Sequence, residues 1–102
     1  MMIILKAQLT IDASSRTDFL RHMQALIQAS LAEEGCISFG CYEDVAAPNS
    51  FLVLEEWTSR AALKQHERSA HVATFKANAG SMIVSRRPAQ VYTVSHVGGL
   101  HN

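Results

Sequence analysis

Charge of one sign is never in surplus in this chain. Nine acidic residues balance nine basic ones over 102 positions, the formal net charge is +0, and Arg86-Arg87 is the one adjacent basic pair. A protein that grips a phosphate backbone needs a positive face, so nucleic acid is not expected as a partner. Long apolar runs are missing too. No stretch approaches the about eighteen uninterrupted apolar residues of a membrane span. The N-terminal MMIILKAQLTI lacks the basic start and small-residue cleavage site of a signal peptide and reads as a strand. Glycine is sparse, with no G-x-G-x-x-G and no phosphate loop, so nucleotide or flavin has no sequence support. Neither G-x-S-x-G nor HExxH occurs, which leaves a serine hydrolase or a zinc protease without its motif. Cysteine is limited to Cys36 and Cys41, five positions apart in one expected strand. An odd offset puts them on opposite faces, about 17 Å apart along the strand, too far for a disulfide. Reduced thiols point to a cytoplasmic protein, and neither cysteine has neighbours in sequence that would lower its pKa.

What is present is an ordinary globular composition, 48% apolar and 18% charged, in a length that suits one domain. Ile3, Leu5, Ala7, Leu9 and Ile11 alternate with polar residues, the mark of a half-buried strand. Ser15 and Asp18 fit a capping box at the start of a helix. Phe19, Leu20, Met23, Leu26, Ile27 and Leu31 then recur at helical spacing, and Gly35 is free to take a left-handed conformation at the helix end. CISFGCYED and FLVLEEW read as a hairpin about a turn at Pro48-Asn49. Thr58 or Ser59 can cap a short helix, and Ser69 a further one in which Val72, Phe75, Ala79, Met82 and Ile83 share a face. Pro88 bounds that helix, and AQVYTVSHV is the last strand. The sum is an α+β domain over residues 1–98 with a short tail at 99–102. Its order, β-α-β-β-α-β, is the split βαβ arrangement of ferredoxin-like domains: a four-stranded antiparallel sheet with helices on one face. The other face needs cover, and a second copy of the chain is the expected one.

The chemically capable side chains gather in EEWTSRAALKQHERSAH. His66 is a candidate proton carrier, since an imidazole titrates near neutrality. Trp57 is either a core aromatic or the wall against which a flat ring stacks. His71 begins the next helix. On an unbroken helix five residues turn the chain about 140° past a full turn, so His66 and His71 would point apart unless the helix breaks at RSA. No Asp or Cys lies nearby in sequence to complete a metal shell, and no metal is expected. Glu55 shares strand parity with Phe51, Val53 and Trp57, so an acid sits among apolar neighbours and demands a partner. Ser30, in the apolar stripe of the first helix, is expected to bond back to its own helix. His22 lies on the flank of that stripe. Phe19, Met23 and Phe75, with His22, are the side chains expected to line a pocket between helix and sheet.

Glu34, Gly35, Cys36, Pro48, Asn49, Glu55, Trp57, Ala62, Leu63, His66, His71 and Phe75 together resemble the antibiotic biosynthesis monooxygenase domain family. The likeness spans nearly the whole chain. It implies a ferredoxin-like homodimer whose two sheets form an α+β barrel. It also implies oxidation of an aromatic hydroquinone or polyketide-like small molecule by molecular oxygen, with no cofactor. The haem-degrading relatives use an Asn, a Trp and a His at positions that fall near Gln8, on His66 and near Lys76; none matches, and haem degradation is disfavoured. In the quinol-oxidising reading His66 is the base, Trp57 the stacking wall, and His71 or His22 a secondary proton partner. Two alternatives stand beside it. One is isomerisation of a small hydroxycarbonyl compound, phosphorylated or not, with Arg60, Arg86 or Arg87 as anion contacts. The other is non-catalytic binding of a small metabolite.

Overall fold

The computed structural model describes residues 1–101. β1 (Met2–Ile11) is the central strand, and its long alternating run is the reason. It pairs antiparallel with β3 (Ser50–Trp57) along nearly its whole length, Ile3 opposite Trp57 and Leu9 opposite Phe51. β3 in turn forms the expected hairpin with β2 (Cys36–Glu43). Asn49, with φ 68°, takes the left-handed conformation at the turn. The burial of β3 alternates residue by residue, so Phe51, Val53, Glu55 and Trp57 face the helices. α1 (Arg16–Leu31), α2 (Arg60–Glu67) and α3 (Ala70–Ala79) supply that side of the core. Phe19 and Trp57 are both fully buried there. Each such side chain contributes on the order of 2–3 kcal/mol of transfer free energy.

The opposite edge of β1 differs from the expectation. The final helix does not run through Met82 and Ile83. It ends at Ala79, a 3-10 turn covers Gly80–Met82, and Ile83–Arg86 form a short strand, β4. The Asp12 N–H donates to the Met82 carbonyl at 2.9 Å, so the free edge of β1 captures the chain where helical spacing alone would have continued. β5 (Gln90–Val94) pairs with the first half of β1 and β4 with its second half. Pro88, which has no N–H to give, falls between them. The sheet is thus five-stranded in the order β2-β3-β1-β4, with β5 beside β4 on the same edge position.

Two smaller expectations also yield. The capping box at Ser15 and Asp18 does not form: a 3-10 turn at Ala13–Ser15 precedes the helix, Ser15 is already helical, and its side chain makes no cap bond. Asp12 takes the capping role instead, and Asp18 pairs with Arg21. In β2, a bulge between Cys36 and Ser38 shifts the register, so Cys36 lies opposite Trp57 and Cys41 opposite Val53. The extra residue cancels the odd offset and puts both cysteines on the helix-facing side. They remain unpaired, and burial pushes the Cys41 thiol up to about 11.

Candidate functional site

The site begins with a helix end. After α1 the chain turns through Ala32–Glu34 and reverses at Gly35, whose φ is +91°. A Cβ at Gly35 would come within 2.8 Å of the Ala62 Cβ, so α2 packs directly on this turn and only glycine fits. That contact presents Glu33 to the far end of α2. Ser59 caps α2 through the Ala62 N–H, and Ser69 caps α3 through the Val72 N–H. The break between the two helices, at Arg68-Ser69, brings His71 back over His66, with ring centroids 5.7 Å apart. An unbroken helix would have kept them apart.

One carboxylate oxygen joins the two rings. Glu33 Oε2 accepts from His66 Nδ1 at 2.6 Å and from His71 Nε2 at 2.8 Å. The other nitrogen of His66, Nε2, faces Glu55 Oε1 at 3.7 Å, too long for a hydrogen bond. That same oxygen accepts the Trp57 indole N–H at 3.0 Å. The His66 ring lies 4.6 Å from the Trp57 ring and 5.4 Å from Phe39. His71, Glu33, His66, Glu55 and Trp57 therefore form one line leading from a side chain 25% exposed to one that is fully buried. Burial pushes the Glu55 carboxyl up to about 7, against the pull of the indole bond, and the charges of Glu67 and Glu33 add to the rise. Glu33 holds His66 with its Nδ1 as donor, which leaves Nε2 as the basic nitrogen of the neutral ring.

His66, Trp57 and His71 are thus brought together. Glu33 was invisible at the sequence level, because 33 positions separate it from His66 and nothing local marks it. Glu55 did carry a signal, its apolar strand parity. The hydrogen-bond partner that reaches it is the Trp57 indole, while His66 Nε2 stays 3.7 Å away. Phe19 belongs to another part of the core, and Phe75 lies one turn beyond His71 on α3. Phe19 packs at 5.3 Å on Phe51 and edge-on at 6.0 Å to Phe75, and Phe51 lies about 20 Å along β3 from Trp57. Met23 is buried one turn further along α1, and His22 is half-buried at the flank. Ser30 does not bond back to its helix; its hydroxyl is buried with no hydrogen-bond partner among the described residues. A separate open cleft of ≈ 500 Å³ lies away from His66, between Gln8, Thr10, Tyr42, Leu52, Arg86 and Arg87. Glu43 and Asp44 also line it, and Arg60 does not.

Fold and site together describe a small α+β domain with one buried, acid-flanked histidine packed at a tilt against a tryptophan. Residues 2–78 match the sequence profile of the antibiotic biosynthesis monooxygenase family, and the chain belongs to that family. It is 37% identical over 82 residues to a Bacillus subtilis protein named "Putative monooxygenase YcnE", covering 80% of this chain and 86% of that one. It is 33% identical over 69 residues to "Putative monooxygenase Rv0793" of Mycobacterium tuberculosis, covering 68% of this chain and 65% of the relative's length. The solved structure of a protein from Nitrosomonas europaea, described as a "Putative antibiotic biosynthesis monooxygenase", superposes with a TM-score of 0.88 over 96% of this chain and 94% of its own. At 17% identity that likeness concerns the fold alone. The general kind is a monooxygenase-family protein. No helix among the described residues is long and apolar enough to cross a membrane.

Proposed function

We propose that the protein oxidises a small aromatic hydroquinone or polyketide-like compound with molecular oxygen, using no flavin, haem or metal. The observation that carries this reading is His66, held between two carboxyl groups and packed at a tilt against Trp57 with ring centroids 4.6 Å apart. A phenol or anthrone is a weak acid, and its anion is far easier to oxidise than the neutral molecule. A base at His66 Nε2 takes that proton beside the Trp57 and Phe39 rings, where burial limits competition from water. The electron-rich anion then reduces oxygen. For an anthrone-type CH2 the balance closes without an added reductant: the carbon becomes a carbonyl, one oxygen atom is retained, and the other leaves as water. All four electrons come from the substrate.

The test is oxygen uptake by metal-stripped, cofactor-free protein with a panel of hydroquinones, naphthols and anthrones. Uptake above the autoxidation background, with one atom of labelled oxygen in the product, is the expected result. Label found in hydrogen peroxide alone would mean an oxidase and sink the oxygenase step. Arg86 and Arg87 beside the open cleft favour a second reading, isomerisation of a phosphorylated hydroxycarbonyl compound, in which no oxygen is consumed.

The acting unit in this proposal is a homodimer. Ile4, Leu52 and Leu54 share the strand parity opposite to the core, and Tyr42 and Tyr92 on that side are 59% and 42% exposed. A second sheet laid on this face would bury them. Sedimentation equilibrium is expected to give twice the 11.2 kDa chain mass, and a monomer at micromolar concentration would remove the dimer from the proposal.

A further inference from the structure

We propose that Glu33, His66 and His71 form a binding site for a divalent transition-metal cation, through Glu33 Oε2, His66 Nδ1 and His71 Nε2. These three atoms, from three separate segments, all lie within 4.8 Å of one another. Two imidazole nitrogens and one carboxylate oxygen suit zinc, cobalt, nickel or copper, whereas magnesium and calcium prefer oxygen alone. Metal–ligand bonds of about 2.0–2.1 Å put neighbouring ligand atoms roughly 3.3 Å apart in a tetrahedral shell. The present separations from Glu33 Oε2, 2.6 and 2.8 Å, must open by about 0.5–0.7 Å as the ion takes the place of the two bridging protons.

The surroundings support that exchange. Glu33 and His71 are 16% and 25% exposed and can turn to admit an ion, while His66, at 6%, is braced by Trp57 and Phe39. Behind His66, the non-ligating Nε2 faces the Glu55 carboxyl, the kind of outer partner that orients a metal-binding histidine. Neither Glu33 nor Glu55 has a lysine or arginine within ion-pair distance among the described residues. The two carboxyls at this corner are met by histidine rings and the Trp57 indole N–H but by no fixed positive charge, and a cation is the complement they lack. Three protein ligands leave room in the shell for water or a small molecule. An ion on Nδ1 shifts the ring proton from Nδ1 to Nε2, so binding silences the basic nitrogen; this consequence, unlike binding itself, rests on the oxygenase reading.

Cobalt(II) and zinc(II) titrated into the metal-stripped full chain provide the test, by visible absorption for cobalt and calorimetry for zinc. The expected result is one ion per chain at micromolar or tighter affinity, with visible cobalt bands of a low-coordinate site. Glu33→Gln and His71→Ala are expected to weaken binding about a hundredfold while melting as cooperatively as the parent. Affinity no better than millimolar overturns the site. So does full affinity in both variants, which would assign the ion to other histidines. Because binding is read without turnover, failure of the oxygenase reading leaves this result standing, and the reverse holds too.

Discussion

Replacing His66 by alanine is expected to slow oxygen-dependent turnover by about 10²–10⁴-fold, the range over which a positioned general base acts. The ring holds the one basic nitrogen that Glu33 orients and that Trp57 flanks, and no neighbouring side chain duplicates it. His71 also engages Glu33, through its Nε2, and is more exposed than His66. Loss of the imidazole also leaves two carboxyl groups facing a void, and the alanine variant could fail by unfolding. His66→Asn separates the two causes. Its amide can donate to Glu33 in place of Nδ1 and has no basic nitrogen, so stability should recover and rate should not. A rate within tenfold of the parent in either variant, with the protein folded, would remove His66 from the base role.

Local features of the fold were legible in the sequence, and features that depend on distant chain were not. Alternation in β1, the stripe on α1 as far as Ile27, the left-handed Gly35 and the serine caps of α2 and α3 are set largely by near neighbours and form as their patterns imply, while Leu31 at the end of the stripe is 51% exposed. The stretch Met82–Arg86 misleads because its apolar residues satisfy a helix stripe and a strand equally; the free edge of β1 decides between them. The bulge at Ile37 is likewise chosen by pairing with β3, and it overturns a face assignment that strict alternation made certain.

The site divides the same way. His66, Trp57 and His71 could be named from side-chain type within one stretch, but the reason they converge lies in Glu33, delivered by the end of another helix. A helix-ending Glu-Glu-Gly is a common sequence whose acids usually face solvent, so it carries no signal until Gly35 is seen against Ala62. The environment also sorts the two acids. Glu33 is met by two ring N–H groups and keeps some exposure, so its charge has partners. Glu55 has one indole and deep burial, so its charge does not.

That contrast gives Glu55→Gln an unusual expected outcome: a more stable protein at alkaline pH. The folded carboxyl titrates at about 7, raised from an ordinary 4.5 chiefly by burial. In the unfolded chain it ionises near its ordinary value. A carboxyl whose folded pKa is raised therefore weakens folding as pH climbs from 4.5 to about 7, and the full penalty persists above that. At about 1.4 kcal/mol per unit this amounts to roughly 3–4 kcal/mol. Glutamine is neutral throughout, and its carbonyl can still accept the Trp57 N–H. Urea unfolding at pH 5 and pH 8 should show the parent losing stability between the two and the variant holding most of it. The variant should therefore be the more stable of the pair at pH 8 and no better at pH 5. Parallel pH dependence in the two proteins would mean that Glu55 does not ionise as its burial implies. A group that costs stability at neutral pH where a neutral one would fit is the usual mark of a residue retained for chemistry. The same variant should therefore gain stability and lose turnover together, and a stabilised variant with parental turnover would leave Glu55 outside the reaction.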